Sequence, residues 1–271
     1  MRPLLASPLG LLIGISLGAL GGGGSILAVP SLVYAAGQTP AHATTTSLVL
    51  VAITALIGMV PHWRANRVRF GAGSIFGVAG IGGSLLGSHW NKAADPDVLL
   101  LAFSGLMLVA AYGMWRRVKD TRTAPVPRSL GAAAATPAPH ASTVHIDPTT
   151  ILKVAIAGSI VGLLTGFFGV GGGFVIVPAL VLALGFTMPE AVGTSLLVIA
   201  FNSVVALTTR LQSGSIEWGT VIPFTIASLL GVVIGSRLAS TRDSSSLQRW
   251  FVALLVVVAV YTAVSSALKL M

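Results

Sequence analysis

The chain of 271 residues contains no cysteine and very few charged residues. The lack of cysteine excludes disulfides, thiolate metal sites and cysteine nucleophiles. Charged residues make up only 8% of the chain, against roughly a quarter in soluble domains, while 54% of the residues are hydrophobic and the mean hydropathy is +0.92. This composition predicts an integral membrane protein.

The chain also lacks the alternating pattern of a membrane barrel, so we predict an all-α protein with helical spans. The net charge of +9 comes from basic residues at the ends of apolar segments, without interleaved aromatic residues, and nucleic acid is therefore not an expected partner. Eight apolar stretches are each long enough for a span of about 20 residues. They lie near 8–35, 41–61, 71–90, 98–115, 151–184, 190–209, 219–240 and 247–268.

Two glycine clusters, each followed by a proline, divide the chain into similar halves. The cluster at 21–24 precedes Pro30 and the cluster at 169–173 precedes Pro178, and an offset of 148 residues aligns these and many other glycines. We therefore predict two homologous four-helix membrane repeats, at 1–118 and 151–271. Between them, residues 119–150 are rich in proline and alanine, which predicts a flexible cytoplasmic linker.

Basic residues between the spans predict the orientation of the chain. Arg64, Arg67 and Arg69 follow the second span and a further basic cluster at 116–128 follows the fourth, so both loops are predicted to be cytoplasmic. With eight complete crossings both termini would be cytoplasmic as well. In the second half, however, the basic residues concentrate one loop later, at 237–249. If the broken first span of each half is a re-entrant hairpin, the halves are inverted, and we favour this inverted pseudo-twofold pair over a parallel pair.

The glycine clusters are predicted to break the first helix of each repeat, because glycine costs about 1 kcal/mol in a helix relative to alanine. Non-helical backbone in a membrane persists only where it is buried in protein or lines a cavity. The half-helices that follow would offer N–H groups and positive dipole ends to an anion, and hydroxyl and amide groups of the next spans suit an oxyanion. Glycines spaced four apart are instead expected to serve helix packing. The predicted substrate-binding residues are Gly22, Gly23, Gly24, Ser25, Thr46, Ser47, Gly171, Gly172, Gly173, Thr194, Ser195 and Asn202.

Glu190 and His42 occupy equivalent positions near the starts of apolar spans in the two halves. Ionisable residues at membrane depth are functional candidates, so both are predicted to be coupling or gating groups. Proton coupling is a hypothesis that rests on these two residues. The alternative for Glu190 is an interfacial charge that stabilises a helix N-terminus.

The sequence resembles the sulfite exporter TauE/SafE family of membrane permeases over nearly the whole chain outside the linker. The resemblance is carried by GLLTGFFGVGGG at 162–173 and AVGTSL at 191–196, with a weaker echo in GALGGGGS at 18–25. It implies a multi-pass permease of the bacterial inner-membrane type for a small anion such as sulfite or sulfoacetate, with no enzymatic activity and no cofactor. The expected partners are the solute and the lipid bilayer, with a second copy of the chain as a further candidate.

The two half-sites are not chemically equal, because Ser25 stands where the second half has Gly173. This serine leaves open an intramembrane hydrolase, although no histidine on a neighbouring helix is singled out as its base. A membrane scaffold without transport is the third alternative. It would leave the paired helix breaks unexplained.

Overall fold

A computed structural model of the protein describes residues 7–34, 37–91, 96–123, 148–168, 173–210 and 218–270. These ranges are almost entirely α-helical and contain no strand. In chain order the helices are α1 (Ser7–Leu20), α2 (Gly23–Tyr34), α3 (Pro40–Arg64), α4 (Phe70–Asn91), α5 (Pro96–Thr123), α6 (Pro148–Phe168), α7 (Gly173–Leu182), α8 (Met188–Arg210), α9 (Trp218–Ser240) and α10 (Ser244–Leu270).

Six helices are long and apolar enough to cross a membrane within the described residues, namely α3, α4, α6, α8, α9 and α10. A hydrocarbon core of about 30 Å needs about 20 helical residues. Because α1 has 14 residues and α7 has 10, neither helix reaches this length. The predicted eight complete spans are therefore not confirmed, since the stretches 8–35 and 151–184 each contain two helices in place of one.

The first of these stretches folds as a hairpin around its glycine cluster. Gly21 has a φ of +70°, a conformation that strains any residue with a side chain. Its N–H bonds to the carbonyl of Leu17 at 2.9 Å and closes the last turn of α1. Helix α2 then lies back along α1, because a Cβ added to Gly24 would be 2.6 Å from the carbonyl oxygen of Ile13.

Helices from the first half of the chain pair with helices from the second half. The pairs are α1 with α9, α4 with α6, α3 with α8, α5 with α10 and α2 with α7. Helices α3, α4 and α5 begin 148 residues before α8, α9 and α10, respectively. Under the predicted repeat, the α1–α9 pair would correspond to the α4–α6 pair. Each of the other three pairs would join two corresponding helices.

The pairs α1–α9 and α4–α6 are close and parallel. The spaced glycines in these helices let the backbones touch, as predicted. Ser228 adds a hydrogen bond across the first pair, from its Oγ to the carbonyl of Gly10 at 2.8 Å. In both pairs, residues later in one helix contact residues later in the other. In the first pair the contacts are Gly10 with Phe224, Gly14 with Ser228 and Gly18 with Val232. In the second pair they are Phe76 with Gly158, Gly80 with Gly162 and Ser84 with Gly166.

The pair α3–α8 is antiparallel and lies between the two glycine-rich pairs. Gly58 of α3 lies near Leu196 of α8, whereas His62, one turn later in α3, lies near the earlier residue Gly193. This pair brings the beginning of α8 to the end of α3. It also places the start of α8 next to the break between α1 and α2.

Candidate substrate site at the helix breaks

The first glycine break contacts the start of α7, which is the last glycine of the second cluster, in the interior of the protein. A Cβ added to Gly22 would overlap with the carbonyl of Gly173 and would be 2.8 Å from the N of Phe174. Helix α2 begins at Gly23 and helix α7 at Gly173, so the N-termini of the two helices lie side by side. Gly22, Gly23 and Gly24 are all buried. Gly171 and Gly172, which are also predicted site residues, lie outside the described residues.

Ser25 fills the space that Gly173 leaves open. Its Oγ donates a hydrogen bond to the carbonyl of Gly22 at 2.7 Å, and its N–H reaches the same oxygen at 3.3 Å. A Cβ added to Gly173 would overlap with this Oγ. Ser25 makes no hydrogen bond to a histidine or carboxylate in the described part of the chain, so no such group is placed to activate it as a nucleophile.

The beginning of α8 lines the first break. A Cβ added to Gly21 would be 2.5 Å from Ser195 Oγ and 3.3 Å from the Cα of Val192. The Ser195 hydroxyl donates to the carbonyl of Val192 at 2.8 Å, the local bond typical of serine inside a helix. Thr194 is equally buried, and its Oγ1 accepts a hydrogen bond from the N–H of Arg69 at 3.1 Å.

Glu190 lies at the start of α8 and pairs with Arg69. Its Oε1 accepts hydrogen bonds from Nη2 and Nε of Arg69 at 2.6 and 3.2 Å. Its Oε2 accepts from the N–H and the hydroxyl of Thr187, the residue just before the helix, at 3.1 and 2.9 Å. The side chains of Arg69 and Glu190 are 32% and 22% exposed. This geometry favours the interpretation of Glu190 as a charge that caps a helix N-terminus at the membrane end.

The remaining predicted residues are spread over the interior. Thr46 and Ser47 are buried in α3, which packs against α2. Asn202 lies two turns beyond Ser195 and faces α4, where its Oδ1 is 3.9 Å from a Cβ added to Gly77. This Oδ1 is buried and has no hydrogen-bond partner within the described ranges. His42 lies in the first turn of α3, at the opposite end from Glu190, and its N–H bonds to the side chain of Thr39 at 3.4 Å.

Two residues near the start of α8 were missed from sequence. From the sequence, Arg69 predicts only the orientation of the chain. The signal that could have identified its role is the basic loop before α4, which can supply a cationic partner for Glu190. His62 is 3% exposed, and neither of its ring nitrogens has a hydrogen-bond partner among the residues that the structure describes. Its position at the end of an apolar span gave no signal of complete burial.

A separate cavity of about 480 Å³ lies at the same end of the protein as Glu190. It is bounded by the end of α5, the turn between α7 and α8, and the start of α10. Arg117 lines it and donates hydrogen bonds to the carbonyls of Val181 and Gly185. Its other lining residues are Val181, Gly185, Phe186, Thr187, Met188, Asp243, Ser244, Ser245 and Gln248, none of them a predicted substrate-binding residue.

Comparison with known proteins assigns the family. The sequence profile of the family described as "Sulfite exporter TauE/SafE" matches residues 6–262. This chain belongs to the TauE/SafE family. Its members are membrane transporters, and together with the six apolar helices this makes the chain a multi-pass membrane protein.

Curated relatives carry matching descriptions. Two proteins of Xylella fastidiosa, each named "Probable membrane transporter protein", are 33% and 35% identical over 253 and 258 residues. Each alignment covers 92% of this chain and 90% of the relative. The "Probable membrane transporter protein YunE" of Bacillus subtilis is 25% identical over 88% of this chain and 84% of its own length. No solved structure gave a significant match.

Proposed function

We propose that the protein is a secondary transporter that binds a small anion where the two glycine breaks meet. The contact between Gly22 and Gly173 carries the proposal, because the N-termini of α2 and α7 come together there. No lysine or arginine is buried in the part of the chain that the structure describes. Free N–H groups and aligned helix dipoles at such ends favour negative charge. The family description supports a sulfur oxyanion such as sulfite, or an organosulfonate such as sulfoacetate, as the solute.

The transporter is proposed to consist of two inverted repeats. The parallel pairs α1–α9 and α4–α6 and the antiparallel pair α3–α8 support this, because they are the contacts that a twofold axis in the membrane plane produces. In this arrangement α1–α2 and α6–α7 are re-entrant hairpins, although α6 alone is long enough to cross. Each half then crosses the membrane three times, by α3, α4 and α5 and by α8, α9 and α10, and both termini lie on the side opposite the linker. The basic loop that ends at Arg69 supports a cytoplasmic position for the linker side.

The test is ligand-dependent stability of the purified protein. Wild type is heated in detergent with sulfite, sulfate, thiosulfate, sulfoacetate, taurine or a short carboxylate. An anion at a hundred times its dissociation constant stabilises the native state by about 2.7 kcal/mol. The substrate should raise the melting temperature of wild type and of Gly82→Ala, whose added methyl group meets nothing within 4 Å, but not of Gly22→Ala.

Two results would contradict the proposed site. An equal shift in Gly22→Ala would place the anion elsewhere, because a methyl group at this position must displace the backbone of Gly173. No shift with any anion in wild type would count against a small-anion transporter. If Gly22→Ala does not fold, Ser25→Ala provides the second test, since it removes only the hydroxyl that bonds to the Gly22 carbonyl.

A further inference from the structure

The buried His62 is a titratable group that the substrate site does not use. It lies in the last turn of α3 and is 3% exposed. Both ring nitrogens are buried, and neither forms a hydrogen bond within the described ranges. The backbone of Gly18, three residues before the first glycine break, approaches the ring as a weak partner that falls outside hydrogen-bond geometry. Because burial of an unsatisfied polar ring costs free energy, its presence here needs a reason.

The start of α8 covers this histidine. A Cβ added to Gly193 would be 2.9 Å from both the Cβ of His62 and the carbonyl oxygen of Arg67, so the α3–α4 turn lies directly on α8. Two interactions of Arg69 hold the turn in place. Its side chain pairs with Glu190, and its N–H bonds to Thr194. We call the Arg69–Glu190 ion pair the latch.

The charged groups near His62 keep the ring neutral while the latch is closed. On its own turn lie Arg67, whose N–H bonds to the His62 carbonyl at 2.9 Å, and Arg69. Arg64 follows His62 in the last turn of α3, the first turn of α8 carries Glu190, and the last turn of α9 carries Arg237. The described part of α1 has no titratable residue. The only carboxylate in this set is already paired with Arg69, so an imidazolium would have no free counter-ion until the latch opens.

We propose that His62 is the proton-binding residue of this transporter and that the Arg69–Glu190 latch closes its access to the cytoplasm. When the latch opens, water reaches the ring, a ring nitrogen takes up a proton, and the freed carboxylate of Glu190 compensates the charge. The structure is then the cytoplasm-closed state. Proton uptake and latch opening stand on the geometry around His62, whereas their coupling to anion movement rests on the proposed function.

The first experiment measures access to His62 without any substrate. Purified protein reacts with diethyl pyrocarbonate, which modifies neutral, water-accessible imidazoles, and peptide mass spectrometry compares His62 with the exposed His89. In wild type His62 should react far more slowly than His89. In Glu190→Gln and in Arg69→Gln the rate at His62 should rise about tenfold or more, as expected for local opening of a closed site. The control is Arg242→Gln, an exposed cation at the same end, which should leave the rate low.

The same reaction tests proton binding. In Arg69→Gln, which breaks the latch but keeps the Glu190 carboxylate, the rate at His62 should fall from about pH 8 to about pH 5 as the imidazole is protonated. A rate that does not fall would overturn proton binding at this residue. A fast reaction in wild type, or latch variants that react as slowly as wild type, would overturn the latch. Melting temperatures of all variants establish that faster labelling does not come from global unfolding.

The second experiment links His62 to transport. Proteoliposomes take up ³⁵S-labelled sulfite with and without an imposed pH gradient, and the ratio of the two rates is recorded. The ratio should exceed unity in wild type and fall to unity in His62→Gln, whatever absolute rate the variant keeps. An unchanged ratio would overturn the coupling role. If wild type moves no sulfite in either condition, the proposed substrate fails, while the labelling experiments still decide the proton site and the latch.

Discussion

Adjacent glycines of α4 allow the packing between the two halves to be measured directly. Gly83 faces α6, and a Cβ added there would overlap with the carbonyl of Ser159 and would be 2.8 Å from the N of Leu163. Gly82 is the preceding residue, and a Cβ added to it meets nothing within 4 Å. Alanine at the two positions therefore makes the same change in the same helix, with and without a backbone neighbour.

The expected magnitudes follow from two opposing effects. Replacing a helical glycine with alanine stabilises by about 0.5–1 kcal/mol, because the unfolded chain loses conformational freedom. This gain is common to both variants. Gly83→Ala must also push α6 away, and overpacking of this kind costs about 1–3 kcal/mol. Gly82→Ala should thus be slightly more stable than wild type, and Gly83→Ala should be less stable than Gly82→Ala by the full overpacking cost.

The assay is reversible unfolding in mixed micelles with increasing dodecyl sulfate, followed by circular dichroism. The difference in unfolding free energy between Gly82→Ala and Gly83→Ala isolates the cost of packing because the propensity effect cancels. Equal stabilities would refute the reasoning, since they would mean that α4 and α6 are not in backbone contact. A Gly82→Ala variant that is strongly destabilised would also contradict it, because that position would then have an unseen neighbour.

Three further predictions concern the end of the protein where Glu190 lies and the orientation of the chain in the membrane. Glu190→Gln keeps an acceptor for Thr187 and should cost only about 0.5–1 kcal/mol, after allowance for solvent screening of the partly exposed ion pair. Glu190→Ala also loses the cap and should cost about 1–2 kcal/mol in the same unfolding assay. Equal losses would contradict the capping role. Arg117→Gln should lower the free energy of unfolding by about 1 kcal/mol, because the guanidinium donates hydrogen bonds to carbonyls at and just after the end of α7. A variant as stable as wild type would show that these bonds do not contribute. Because the chain has no cysteine, single cysteines can report its orientation. His89→Cys, at the end opposite the linker, should react with an impermeant maleimide in intact spheroplasts, whereas Ala65→Cys, at the linker end, should react only after permeabilisation. The reverse pattern would contradict the proposed orientation.

The helical membrane fold and the family could be predicted from sequence because both depend on local pattern. Long apolar runs predicted helices, and the motif at 162–173 indicated the TauE/SafE family, which the profile match confirmed. The spaced glycines were correctly assigned to packing, since their period of four residues follows one helix face. What the sequence did not give was the number of complete spans. Hydropathy alone does not distinguish a crossing from a hairpin when both halves of the hairpin are apolar.

The details of the candidate site depended on contacts between distant residues. The glycine clusters predicted where helices break, but not that Gly22 would touch Gly173, because that contact joins residues about half the chain apart. Glu190 was recognised as unusual from its position, whereas its partner Arg69 is 121 residues away and required the three-dimensional fold. The burial of His62 depends on α8 covering it, and no property of its own helix reveals this.

The uneven distribution of basic residues follows from the helix directions. In the first half they lie after α3 and at the end of α5, and in the second half they lie between α9 and α10. In a parallel pair of repeats this one-loop displacement would put basic loops on both sides of the membrane. The structure brings these segments to one end. Gly58 near the end of α3 lies beside Val232 near the end of α9. Gln248 at the start of α10 donates a hydrogen bond to the carbonyl of Met114 near the end of α5 at 2.9 Å. A single basic face is what the proposed inverted arrangement requires, and in that arrangement the latch would lie on the cytoplasmic side, where His62 would exchange its proton.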